Sequence, residues 1–269
     1  MAIYDYQGNV IGSGGGTAQT INYDMIVKGV AHRGFSTVAP ENTLPAYKLA
    51  KQNGFNYVEC DVSFTSDGIP MLLHDATIDR TSNGSGTLSQ MTYEQVRQYD
   101  FGSWKNSEYA GTVIPTLEEF LALCRNIGLH PYIELKQNDS YTEAQVQGIV
   151  DMVKACGMKG NVSYISFSSA YLTYVKNYDA DARLGFVVSG LSSGNITTAQ
   201  GLKTTSNEVF IDTSAVTDAA ATLCNDGNLP MEVWTVDSSA AILSAPPYIT
   251  GVTSNNLIAG KVLYEANIS

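Results

Sequence analysis

The sequence predicts an α/β fold, a closed parallel (β/α)8 barrel of the TIM type with a short N-terminal extension. Three observations carry that reading. From Gly29 onward, eight strand-like runs alternate with helix-like segments, which favours a parallel sheet with helical crossovers. The runs are near-continuously apolar, as strands covered on both faces must be. The open doubly wound alternative lacks its sign, since no GxGxxG follows the first run and the GSGGG at residues 12–16 precedes it, outside any strand-to-helix turn.

Taken in order, residues 1–28 read as an extension. YDYQGNV at residues 4–10 is a short strand or hairpin arm, IGSGGGTAQT after it is turn-rich, and the segment is expected to cover the bottom of the barrel. The barrel is expected over residues 29–269. Its first run is GVAHRG at 29–34, followed by a helix that Thr43 caps, with Pro45 in its first turn and Gly54 just beyond its end. YVECDV at 57–62 is the second run. Thr116 and Glu119 form a capping-box pattern before the stripe Leu117, Phe120, Leu121, Cys124 and Ile127, and PYIELK at 131–136 follows as the third run. Ser140 and Glu143 repeat the pattern before Val146, Ile149, Val150 and Val153. VSYISF, RLGFVV, EVFIDT, MEVWTV and ITGVTS, the last at 249–254, complete the eight.

A chain of 269 residues suits one large core. Its formal net charge of -11 opposes polyanions, so nucleic-acid binding is excluded, and a small anionic substrate needs a metal ion or local basic groups. No apolar stretch is long enough for a membrane span, so no integral membrane association is expected. Cys60, Cys124, Cys156 and Cys224 are widely spaced in or beside apolar segments and read as reduced core thiols. The amino terminus carries neither a basic leader nor a long apolar run. A cytoplasmic location is expected, with secretion after processing as the alternative.

The polar groups gather at strand ends. His32 and Arg33 close the first run, Glu59 and Asp61 share one face of the second by the two-residue period of a strand, and Glu134 and Lys136 repeat that spacing on the third. In a barrel all six point to the mouth at the carboxyl ends of the strands. Three carboxylates from neighbouring strands offer hard oxygen ligands that suit Mg2+ or Ca2+ better than structural zinc. His74 follows IPMLL at another strand-to-loop boundary near the mouth, whereas His130 begins the third run and belongs to the opposite face.

These residues lie in a series of motifs. AHRG at His32, PENT at Glu41 to Thr43, VECDV at Glu59 and Asp61, LLHD at His74, DRTSNGSG at Asp79 to Gly86, IPTLEEFL at Ile114 to Leu121 and YIELK at Glu134 occur in a fixed order, and SYISFSS and EVWTVD continue it. Together they resemble the glycerophosphodiester phosphodiesterase family. The resemblance implies a barrel, catalytic histidines at His32 and His74, one divalent cation on Glu59, Asp61 and Glu134, phosphate-facing Arg33 and Lys136, and supporting places for Glu41 and Asn42. It departs after the eighth run, where the family often has a threonine-aspartate pair and then proline; here VTSNNL leaves Asn255 or Asn256 to replace an acidic loop contact.

What the resemblance implies chemically is hydrolysis of a small-molecule glycerophosphodiester to glycerol 3-phosphate and an alcohol through a cyclic phosphate. One histidine accepts a proton from the attacking glycerol hydroxyl and the other protonates the leaving alcohol, the assignment between them staying open. Trp234, near the end of the seventh run, offers an apolar wall to the glycerol carbons. A related phospholipid phosphodiesterase and a weakly catalytic phosphodiester-binding barrel are the alternative functions.

Overall fold

The computed structural model describes residues 3–4, 10–12, 28–136, 140–238, 241 and 248–256. Two short N-terminal strands, β1 (Ile3–Tyr4) and β2 (Val10–Gly12), pair antiparallel. The expected cover over residues 1–28 otherwise lies outside the described residues.

The barrel is eight parallel strands in a closed ring. In chain order they are β3 (Lys28–Ala31), β4 (Tyr57–Phe64), β6 (His130–Leu135), β7 (Ser163–Ser166), β8 (Arg183–Val188), β9 (Val209–Thr213), β10 (Met231–Val233) and β11 (Ile249–Ser254). Each pairs with the next, and β3 closes the ring by pairing with both β4 and β11. Among the described residues, six longer helices lie between strands: α1 (Leu44–Gln52), α3 (Leu117–Ile127), α4 (Glu143–Ala155), α5 (Ser169–Tyr178), α6 (Ser193–Leu202) and α7 (Asp218–Asp226).

The connection from β4 to β6 is elaborated. A ninth strand, β5 (Pro70–Leu72), runs antiparallel to β4, and α2 (Tyr93–Val96) follows it. Met71, Leu73, Ile78, Leu88, Val96, Phe101 and Ile114 give this insertion a small core of its own, which fixes the loop carrying His74.

Strand alternation separates two interiors. On β4, Val58, Cys60 and Val62 pack outward with Tyr47, Phe120 and Leu121 of the helices, while Glu59 and Asp61 point into the ring. Inside, Val30, Tyr132, Ile165, Val187 and Phe210 form an apolar middle layer. Toward the amino ends of the strands, Glu232 Oε1 accepts from Arg183 Nη2 at 2.6 Å and from Lys28 Nζ at 3.2 Å, and the Arg183 guanidinium lies 4.0 Å from the Phe210 ring centre. His130 sits in this lower half with Nε2 2.9 Å from Ser163 Oγ, and burial pushes its pKa down to about 4.

Local details differ from the sequence reading at two helix starts. The capping box of α4 is Thr142 with Gln145, and Ser140 lies in the preceding turn with φ of 51°. Thr43 precedes α1, but its hydroxyl donates back to Pro40 O at 2.6 Å and makes no cap bond. The Thr116–Glu119 box is present, with both reciprocal bonds formed. All four cysteines are free, and three of them are buried.

Candidate active site

The site starts with the turn after β3. His32 N donates to Ser254 O at 2.9 Å, and the chain then passes through Arg33 at φ 57° and Gly34 at φ 80°. A Cβ at Gly34 would stand 2.7 Å from Ala46 Cβ, so only glycine lets this turn rest on α1. The turn aims the Arg33 backbone N–H at Glu59 Oε2, at 2.9 Å. Its guanidinium reaches Glu41 Oε1 through Nη1 at 2.9 Å and Asp61 Oδ2 through Nε at 3.1 Å. Asn42 donates through Nδ2 to Asp61 Oδ2 at 2.8 Å and accepts from the Tyr47 hydroxyl at 3.0 Å.

Glu59 and Asp61 share the inward face of β4, and the register sets Asp61 beside Glu134 of β6. One oxygen from each of Glu59, Asp61 and Glu134 lies within 4.8 Å of the other two, and all three residues are buried. Lys136 Nζ stands 3.2 Å from Asp61 Oδ1 and 3.1 Å from Glu134 Oε1. Burial and mutual repulsion push the Glu59 carboxyl well above the usual carboxylate range and raise Glu134 to about 7. Burial opposes ionisation of Asp61 too, yet Arg33 and Lys136 outweigh it and hold that group below its usual value.

This arrangement fits a divalent cation. Glu59 Oε1 is buried without a hydrogen-bond partner, and the nearby cations leave the negative charge of three carboxylates under-compensated. An oxygen-only donor set of this size suits a hard divalent cation.

Both histidines face the site, and each has a different partner behind it. His32 Nε2 is 3.8 Å from Glu59 Oε2, and its Nδ1 is 2.7 Å from Asn255 Oδ1. Burial and the neighbouring Arg33 lower its pKa. His74, just past β5, has Nδ1 2.7 Å from Asp75 Oδ1. Arg80 donates from Nε to Asp75 Oδ2 at 2.6 Å and forks onto both oxygens of Glu41. That hydrogen bond outweighs a small burial effect and draws the Asp75 carboxyl down.

The structure therefore joins His32, Arg33, Glu41, Asn42, Glu59, Asp61, Glu134 and Lys136 in one network, with His74 linked through Asp75 and Arg80. Trp234 stands apart from it, its ring edge-on to Phe167 at 5.6 Å and its Nε1 donating to Asp212 O at 3.2 Å. Sequence reasoning assigned no part to Asp75, Arg80 or Asp237. Asp75 lies within LLHD, Arg80 within DRTSNGSG and Asp237 within EVWTVD, so their positions were marked although their roles were not. Of the two asparagines considered, Asn255 makes the loop contact to His32, while Asn256 N donates to Ser254 Oγ at 3.1 Å.

Fold and site together define a (β/α)8 barrel whose mouth gathers two histidines, two cationic side chains and a carboxylate cluster that fits a divalent cation. Among the described residues no helix is long and apolar enough to cross a membrane. The chain belongs to the glycerophosphoryl diester phosphodiesterase family, whose model matches residues 32–256. Glycerophosphodiester phosphodiesterase 1 of Homo sapiens is 44% identical over 112 residues, which are 41% of this chain and 34% of the human protein. The match thus spans about a third of that relative's length. A glycerophosphodiester phosphodiesterase of Bacillus subtilis is 28% identical over 244 residues, covering 84% of this chain and 82% of its own. A phosphodiesterase of Oleispira antarctica, solved in complex with the product sn-glycerol-3-phosphate, superposes with a TM-score of 0.75 at 26% identity, over 92% of this chain and 99% of that one.

Proposed function

We propose that this chain hydrolyses glycerophosphodiesters to glycerol 3-phosphate and an alcohol, with Mg2+ or Ca2+ held by Glu59, Asp61 and Glu134. The observation that carries the reading is the meeting of three buried carboxylates with two cations and two histidines at one barrel mouth. The product bound by the Oleispira relative supports the substrate class.

When bound, the divalent cation supplies charge stabilisation to the phosphate oxygens. Arg33 presents a planar fork and Lys136 a localised charge to the same anion, each exchanging part of its contact with Asp61 for the substrate. His32 and His74 carry the protons: one takes the proton of the glycerol hydroxyl next to the phosphate-bearing carbon as that oxygen attacks phosphorus, and the other gives a proton to the departing alcohol oxygen. The product of that step is a cyclic glycerol phosphate, which water opens to glycerol 3-phosphate. Glu41 and Asn42 hold Arg33 and Asp61 in place, and Trp234 with Phe167 offers the glycerol carbons an apolar wall. The four free thiols suit a reducing compartment such as the cytoplasm.

The test is a product assay on purified protein with glycerophosphocholine. Chelation should abolish release of glycerol 3-phosphate, and added magnesium or calcium should restore it. Full turnover after verified metal removal, or no turnover with either ion, rejects the reading.

A further inference from the structure

The deepest asymmetry in the site is what stands behind His32. Its Nδ1 meets a carboxamide oxygen, Asn255 Oδ1, at 2.7 Å, where His74 meets a carboxylate. A carboxamide has a donor end and an acceptor end, so its orientation determines what it offers the imidazole. Asp237 determines that orientation. Its Oδ2 accepts from Asn255 Nδ2 at 2.8 Å and its Oδ1 accepts from the Asn255 backbone N–H at 2.8 Å. Turning the amide over would set Oδ1 against a carboxylate oxygen, two acceptors without a proton between them. The Ser36 hydroxyl adds a third constraint by donating to Asn255 Oδ1 at 3.1 Å, and Ser254 Oγ donates to Asp237 Oδ1 at 3.1 Å.

We propose that Asp237 and Asn255 act as a positioning pair for His32, fixing its ring as the Nδ1–H tautomer with the Nε2 lone pair presented toward Glu59 and the carboxylate cluster. An amide oxygen can only accept, so the proton it meets belongs to Nδ1; the opposite nitrogen is left free 3.8 Å from Glu59 Oε2. In this form His32 enters the reaction as an acceptor. The O–H bond of the substrate hydroxyl breaks, its proton passes to Nε2, and the oxygen is freed to bond phosphorus. The proposal rests on the reading of His32 as a proton-transfer group, and its test reads the ring directly as well as the rate.

With only 3 histidines in the chain, a long-range proton–nitrogen spectrum of full-length protein labelled with nitrogen-15 histidine is readily assigned, His32→Ala identifying the His32 signals. In the chelated protein at a pH where the ring is neutral, His32 should show a protonated Nδ1 and an unprotonated Nε2. Asn255→Leu should release the ring toward the Nε2–H tautomer that imidazole side chains favour in water. In the loaded enzyme, Asn255→Leu and Asp237→Asn should lower kcat at least about tenfold with KM little changed, since the ring is mispositioned and not lost. The double exchange Asp237→Asn with Asn255→Asp restores the donor and acceptor pattern and should return kcat to within about threefold of the parent. A parent spectrum with the proton on Nε2, or Asn255→Leu retaining the Nδ1–H form, overturns the proposal. If the protein hydrolyses no glycerophosphodiester, the activity reading falls while the spectrum still decides the tautomer.

Discussion

Arg80 and Glu41 meet in a two-pronged ion pair, Nη1 to Oε2 at 2.7 Å and Nη2 to Oε1 at 2.9 Å, and through it the loop of His74 is fastened to the loop of Arg33 and Asn42. The third prong, Nε to Asp75, continues the tie to the histidine itself. Lysine keeps the charge but cannot make the fork. Arg80→Lys should therefore lower kcat about tenfold, while the melting temperature changes little because exposed ion pairs contribute only about 0–1 kcal/mol. Steady-state kinetics paired with thermal melts would show it; unchanged kinetics would mean that the two loops hold themselves.

His32→Ala and His74→Ala should each reduce turnover at least about a hundredfold without loss of folding, the range expected when a positioned proton-transfer group is removed. Circular dichroism and single-turnover rates on both variants provide the check. Near-parent turnover in either folded variant would remove that histidine from the mechanism.

Glu134 gives the metal-free protein a pH signature. Its carboxyl is raised from 4.5 to about 7, by burial first and Asp61 second. Across that window the folded state keeps a proton that the unfolded chain has released, so this group makes stability fall as pH rises. In the presence of chelator, the parent should lose melting temperature relative to Glu134→Gln between about pH 5 and about pH 7.5. A constant difference across the window, or one of opposite sign, contradicts the assignment.

Gly34→Ala should destabilise the fold by about 1–3 kcal/mol, since the new Cβ enters α1 and the residue keeps a left-handed φ. Metal affinity should fall with it, because the same turn delivers the Arg33 N–H to Glu59. Urea denaturation and calcium titration measure the two effects separately.

An analogue of glycerophosphocholine lacking only the hydroxyl next to the phosphate-bearing carbon should bind yet turn over poorly. A tethered hydroxyl has a high effective concentration at phosphorus, which an incoming water lacks. Phosphorus NMR of rapid-quench samples should find cyclic glycerol phosphate from the parent substrate. Equal maximal rates with no cyclic product would favour direct attack by water.

Much of this was legible in the chain because strands speak locally. The two-residue spacing of Glu59 with Asp61 and of Glu134 with Lys136 fixes a shared face, and once the ring closes that face is the interior. β5 was legible as the IPMLL run ahead of His74, but its antiparallel pairing with β4 was not, because three residues carry no sign of partner or direction. Ser140–Glu143 and Thr142–Gln145 are equally good capping patterns on paper, and the positive φ at Ser140 decides between them. Asp237 closes the EVWTVD motif, but its role was not legible for a different reason. Its importance lies in a carboxamide 18 positions away, which in turn faces a histidine 223 positions away, and no local pattern encodes such distances.

The closing pair of strands has a temporal meaning. β3 finds its second neighbour only when β11 arrives, and β11 ends at Ser254 and leads directly into Asn255, which take hold of the His32 backbone and ring. A polypeptide still emerging from the ribosome at residue 240 already carries both histidines and every carboxylate of the cluster, but its first strand hangs at an open edge and its histidine is unheld. The hold on His32 thus arrives with β11 rather than accumulating along the chain.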